Sequence, residues 1–150
     1  MSNVLQFPPF ATLPILCRSN TATRLGLRNI PPSAVVANLH TLAEKVILPL
    51  HEIYLENLNI TSGYRSHDLN RAVGGSVHSQ HITGHALDFT VSGKLPSVVV
   101  SELIELLPSF DQMICEFESW IHISYVSEKR NRKQVLKAIK QGKKTVFMPF

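Results

Sequence analysis

Helical and strand-like segments that follow one another without a regular βαβ rhythm predict an α+β fold, a small antiparallel sheet flanked by helices. Three features of the 150-residue sequence carry this prediction. An apolar stripe stepping by three or four residues runs from Val35 to Ile53. Residues 86–91 alternate with the two-residue period of a half-buried strand. Residues 110–126 read as two further strands folded back on each other. No repeat, low-complexity tract or linker interrupts these segments, so residues 1–150 are expected to form a single domain.

Taken in order, a proline-rich opening precedes Ser33, which is placed to cap a helix reaching about Asn57. Val35, Leu39, Leu42, Val46, Leu50 and Ile53 form its inward stripe. Pro49 must kink or divide this helix, because it has no N–H and crowds the preceding turn. Asn59–Tyr64 reads as a short strand, and Ser66 as the cap of a brief helix, His67–Val73, stopped by Gly74-Gly75. In Ala86–Val91 the residues Leu87, Phe89 and Val91 share one face and Asp88 takes the other, so burying the strand aims the carboxylate away from the core. Pro96–Leu107 predicts a helix with Leu95, Val99, Leu103 and Leu106 inward. Phe110–Glu116 and Trp120–Val126 follow as a hairpin around Phe117-Glu118-Ser119, with Ile121, Ile123 and Tyr125 on one face and Trp120, His122 and Ser124 on the other. The tail predicts a helix from Asn131 to Lys140, a stop at Gly142 and a short strand near Thr145–Met148.

Composition narrows the class. A hydrophobic content of 44% with only 17% charged residues belongs to a chain that buries a core, not to a disordered one. No apolar run approaches the roughly eighteen residues that a membrane span needs. The opening, Met1 to Phe10, lacks the basic start and apolar core of a secretory signal, so synthesis in the cytoplasm is expected. Cys17 and Cys115 are too few for a disulfide framework and read as free thiols. The formal charge of +4 comes from Lys129, Arg130, Arg132, Lys133, Lys137, Lys140, Lys143 and Lys144 near the C-terminus. Such a basic surface favours an anionic partner, but no aromatic interleaving or nucleic-acid motif accompanies it, so nucleic acid is not the expected one.

The chemistry concentrates in Ser79-Gln80-His81-Ile82-Thr83-Gly84-His85-Ala86-Leu87-Asp88 and in Trp120-Ile121-His122. His81, Asp88 and His122 make two imidazoles and one carboxylate, a set that holds catalytic zinc by three protein groups and leaves a fourth position for water. The small residues Gly84 and Ala86 suit backbone passing close to the metal site. His78 and His85 flank the proposed ligands and are placed to line a cleft, His85 on the core-facing parity of its strand. A hydrolytic zinc site also needs a general base. A three-residue turn at 117–119 puts Glu116 on the face of His122 and Glu118 at the turn tip; a strand running straight through would favour Glu118 instead. Glu116 is the favoured choice. Arg65 is placed to clamp a substrate carboxylate or carbonyl with its planar fork, Ser79 to donate to the same group or hold the loop, and Trp120 to wall the cleft.

Thr61-Ser62-Gly63-Tyr64-Arg65-Ser66, Leu69-Asn70, Val73-Gly74-Gly75-Ser76, Ser79-x-His81-x-x-Gly84-x-Ala86-x-Asp88 and Trp120-Ile121-His122-Ile123-Ser124 together resemble the zinc D-alanyl-D-alanine carboxypeptidase-like family. That family includes vancomycin-resistance dipeptidases and phage endolysins and shares its metal site with hedgehog domains. Arg18-Ser19-x-Thr21-Ala22-x-Arg24-x-Gly26-x-x-Asn29-x-Pro31 extends the likeness to its small single-domain phage and bacterial branch, over about residues 15–148. The resemblance implies the hedgehog-like metallopeptidase fold and zinc on His81, Asp88 and His122, with Arg65 and Ser79 orienting substrate. It implies cleavage of peptidoglycan stem peptides, at D-Ala-D-Ala or L-Ala-D-Glu bonds. A monomer is expected, and small size with no signal peptide favours a virus-encoded enzyme that acts on a host wall. Many relatives carry an acidic residue three positions before the last histidine, where this sequence has Ser119; Glu116 matches the small branch. The competing expectation is a zinc-stabilised module that binds wall peptides or a virion partner without cutting.

Overall fold

The structure, a computed structural model, describes residues 4–150, so Met1–Asn3 of the opening lie outside the described residues. Two short helices, α1 (Leu13–Leu16) and α2 (Asn20–Leu25), precede a long one. The long helix comprises α3 (Ser33–Leu42), a π-helical turn (Ala43–Ile47) and α4 (Leu48–Tyr54). Its cap position is Pro32 rather than Ser33; the Pro32 carbonyl accepts from Val35 and Val36, and the Ser33 side chain makes no capping bond. The break expected from Pro49 takes the form of the π turn, next to the point where the proline ring crowds the carbonyl of Lys45. The wider turn shifts the helical phase, so Tyr54 takes the buried place after Leu50 and Ile53 is exposed, not inward.

The remaining elements are β1 (Leu58–Ser62), α5 (His67–Ala72), β2 (Ala86–Val91), α6 (Pro96–Leu106), β3 (Gln112–Glu116), β4 (Trp120–Ser124), β5 (Gln134–Gln141) and β6 (Lys144–Pro149). As expected, Ser66 caps α5 through its Oγ, which accepts from the amide of Leu69. On α6 the buried residues are Pro96, Val99, Val100, Leu103 and, just beyond it, Leu107, whereas Leu95 and Leu106 are exposed. Steps of three or four define a stripe but not which flank of it meets the sheet, and here the Val100–Leu107 flank does.

The six strands order as β1-β2-β4-β3-β5-β6, antiparallel throughout except for β3 beside β5. The architecture is α+β, as the sequence predicts. The tail departs from expectation: residues 134–141 form a strand instead of part of a helix, and Gly142 turns the chain into β6 instead of stopping a helix. Val135, Ala138 and Ile139 fit a helical stripe as well as a strand. The open edge of β3 decides between them by taking up the backbone groups of β5.

Leu87, Phe89, Met113, Cys115, Ile121 and Ile123 point from the sheet into one core with Leu39, Leu42, Val46, Leu50 and α6. The opposite face carries Asp88, Ile114, Glu116, Trp120 and His122, and the 65–85 segment lies across it. At the tip of the β3–β4 hairpin, Phe117 and Glu118 both take left-handed φ, 54° and 51°, where hairpins prefer Asn or Gly. That conformation costs about 1–2 kcal/mol per residue. The Phe117 amide donates to the Ala138 carbonyl, and Glu118 Oε1 accepts from the Ser97 amide at 2.7 Å, contacts that hold the turn in place.

Candidate metal centre

Asp88 and His122 are direct cross-strand partners on β2 and β4, so the pleat puts both side chains on the same face. His81 arrives from the loop above. One carboxylate oxygen, Asp88 Oδ1, lies 3.1 Å from His81 Nε2 and 3.1 Å from His122 Nδ1. All three residues are buried, and their donor atoms lie within 4.8 Å of one another. His81 Nδ1 stands 2.7 Å from the carbonyl of Gly63 and must donate to it, which leaves Nε2 with a free lone pair facing the cluster. Burial pushes the Asp88 carboxyl up, but the two imidazoles outweigh it and hold it well below the usual carboxylate range. Two imidazole nitrogens and a carboxylate oxygen, converging and fixed from behind, suit a divalent metal ion.

Arg65 lies beneath this cluster. Its NH2 meets Asp88 Oδ2 at 3.2 Å, Nε meets Ser62 Oγ at 3.4 Å, and NH1 meets Asn70 Oδ1 at 3.4 Å. The guanidinium therefore holds the carboxylate from the side opposite the imidazoles. Glu116 sits half-buried one same-face row from His122, with Cα atoms roughly 7–8 Å apart on ordinary sheet geometry. Burial and the Asp88 charge raise its carboxyl above the usual range, against His122 and Arg65. Glu118 is exposed and turned to the N-terminus of α6, away from this face. Ser79 lines the cleft, and its Oγ accepts from the His81 amide at 3.3 Å. Trp120 forms part of the wall and meets Phe117 edge to face at 5.5 Å. The whole opens as a cleft of about 870 Å³.

The other histidines stand apart from the His81–Asp88–His122 trio. His78 is exposed at the cleft rim, and His85 bonds Thr83 Oγ1 at 2.7 Å. His40 Nε2 donates to the Gln6 carbonyl at 2.9 Å, and His51 stacks on Phe10, both against the opening segment. Gly84 also has a different reason from the one its position suggests. Its φ is +76°, and a Cβ there would come within 2.9 Å of Val35, so it is small to dock the loop on α3, not to approach the His81–Asp88–His122 cluster.

The sequence profile of the peptidase M15 family matches residues 11–124. The chain belongs to that family. No curated protein sequence matches it. The six-stranded α+β architecture is consistent with an M15 peptidase fold, and the match ends at the last residue of β4, so β5 and β6 lie beyond it.

Several residues that hold this M15 site carry no motif of their own. Gly63 supplies the carbonyl behind His81, and its missing side chain lets Leu16 approach, since a Cβ would lie 2.2 Å from the Leu16 carbonyl oxygen. Asn70, buried, ties Arg65 to the carbonyl of Ser76. Asp111, also buried, takes bonds from Arg132 Nε, Arg132 NH2 and Gln80, and so anchors the residue beside His81. A polar residue at the mouth of an apolar strand was the available signal for Asp111. Cys17 and Cys115 are free, and burial raises the Cys17 thiol to about 11. No helix among the described residues is long and apolar enough to cross a membrane.

Proposed function

We propose that this chain is a zinc-dependent peptidase that hydrolyses the stem peptides of peptidoglycan. The observation that carries the reading is the buried His81–Asp88–His122 cluster with Glu116 on the same face of an open cleft. His81, Asp88 and His122 would hold the zinc, which would supply Lewis acidity toward water and toward a peptide carbonyl.

The residues of the chain divide the remaining work. Glu116 accepts a proton from the attacking water as the water oxygen bonds to the scissile carbonyl carbon and the carbonyl π electrons move to its oxygen. When the C–N bond breaks, the same carboxyl returns the proton to the leaving amine nitrogen. A raised pKa suits a group that must take up and release a proton within one turnover. A guanidinium carries five N–H donors. Three of those of Arg65 go to Ser62, Asn70 and Asp88, which leaves two for a substrate oxygen. Ser79 holds the His81 loop, and Trp120 packs against the substrate chain.

Mass analysis of peptidoglycan digested by zinc-supplemented protein tests the reading. New peptide termini that name a single cleaved bond, absent with Glu116→Gln, are expected. Wall peptides left whole by protein that carries its metal would leave the chain a binding module.

A further inference from the structure

The site face does not stop where the family match stops. Register continues it outward, because Glu116 pairs with Ala138 and Ala138 with Phe147, and the next same-face row is Lys140 beside Thr145. Lys140, Thr145, Phe147, Phe117 and Trp120 line the same cleft as the metal ligands. Phe147 is 53% exposed and offers apolar surface to the cleft. The Lys140 ammonium sits 5.0 Å from the centroid of the Phe117 ring and donates to Thr145 Oγ1 at 2.9 Å.

Lys140 differs from Arg132, a cation that lines the cleft nearer the start of β3. Arg132 is committed to the buried Asp111 carboxylate. Among the described residues, Lys140 forms no ion pair. Phe117, which carries it, is held in a left-handed conformation unfavourable for a bulky residue. An aromatic shelf with one uncompensated cation at its far end fits a chain that offers apolar surface and then a carboxylate.

We infer that the β5–β6 hairpin forms a distal subsite for a carboxylate of the peptide substrate, held by Lys140 over the Phe117–Trp120–Phe147 shelf. On strand spacings of about 4.8 Å and about 3.3 Å per residue, the Cα of Lys140 stands roughly 16 Å from that of His122. The lysine side chain shortens that gap, so the carboxylate belongs about three residues from the scissile bond. The inference rests on the peptidase reading above and adds to it a preference for acidic stems over amidated ones.

Trp120 is the only tryptophan, so its fluorescence reports occupancy of the cleft. Two stem pentapeptides serve as probes, identical except that one has its internal carboxyls free and the other has them amidated. Both are titrated into zinc-supplemented Glu116→Gln protein, and both are offered to the unsubstituted enzyme for turnover. The free-carboxyl peptide is expected to bind roughly five- to tenfold tighter, the weight of one partly screened charged contact. Lys140→Met, which keeps the apolar stem on Phe117, should erase that preference, and Lys143→Met at the hairpin tip should keep it. Equal affinities for the two peptides overturn the subsite, as does an equal loss of preference with Lys143→Met. Preferential binding without cleavage of either peptide leaves the subsite standing and removes the peptidase reading. Equal binding with equal cleavage does the reverse.

Discussion

Arg65 and Asp88 form an ion pair in which the guanidinium takes Oδ2 at 3.2 Å and leaves Oδ1 to the two imidazoles. The carboxylate is thus held from both sides, and its orientation does not depend on its own rotamer alone. Arg65→Lys retains a positive charge but cannot reach Ser62, Asn70 and Asp88 from one plane. Zinc affinity should fall by roughly 10–100-fold, as it does when groups behind a ligand are lost, and kcat/KM should fall with it. Competition with a chromogenic chelator measures the first; an unchanged metal Kd would confine Arg65 to the substrate.

One zinc ion per chain is expected on His81, Asp88 and His122. His122→Ala should bring metal content well below one per chain by elemental analysis. Because the metal binds the folded state, chelation should lower Tm, and restored zinc should return it. Full occupancy in the variant would mean that another donor replaces the imidazole.

Glu116→Gln keeps the size of the side chain and removes the proton acceptor. Turnover should drop roughly a hundredfold or more, with zinc content unchanged. Glu118→Gln should leave turnover near that of the parent and cost about 0.5–1 kcal/mol of stability through its weakened contact at the start of α6. Steady-state kinetics on the two variants, side by side, decide the ranking; the reverse order would assign the base to Glu118.

Hydrogen bonds from Arg132 hold the Asp111 carboxyl down at about 2 against the upward push of burial, with Gln80 adding to the pull. Its folded pKa lies below the ordinary 3.8, so the stability it contributes is full above that value and is lost as pH falls toward about 2. Asp111→Asn should cost about 2 kcal/mol at neutral pH, the usual worth of charge-assisted bonds to a buried group. Urea unfolding at a series of pH values should show the gap between parent and variant closing below about pH 4. A gap that persists at pH 2 would mean that packing, not charge, is what Asp111 contributes.

Gly63→Ala should strain the chain where it passes Leu16, by about 1–3 kcal/mol on the usual scale for overpacking. Moving the Gly63 carbonyl also releases His81 Nδ1, so metal content should fall as well. Loss of stability with full zinc occupancy would detach the two effects.

The convergence of Asp88, His122 and Glu116 on one face was legible because it rests on short-range rules. Strand parity sends Asp88 to the face opposite Phe89, and the 117–119 turn returns His122 and Glu116 to that face. Neither conclusion needs a distant part of the chain. The same rules failed at the tail, where residues 134–141 satisfy a helical stripe and a strand about equally and only the open edge of β3 breaks the tie. They failed more mildly on the long helix, where the π turn before Pro49 rotates Ile53 out and Tyr54 in.

By itself, then, the sequence determined the α+β class, the hairpin and the residues that converge on one face, since period and turn chemistry act over a few residues. Only the tertiary structure decided that Arg65 grips Asp88, that Gly63 aims His81, that Asp111 anchors Gln80, and that Lys140 and Phe147 reach the same cleft. The three side-chain pairings among these join residues 18 to 31 positions apart in the chain. Which groups meet over such separations is set by how the core packs, and no local pattern encodes it.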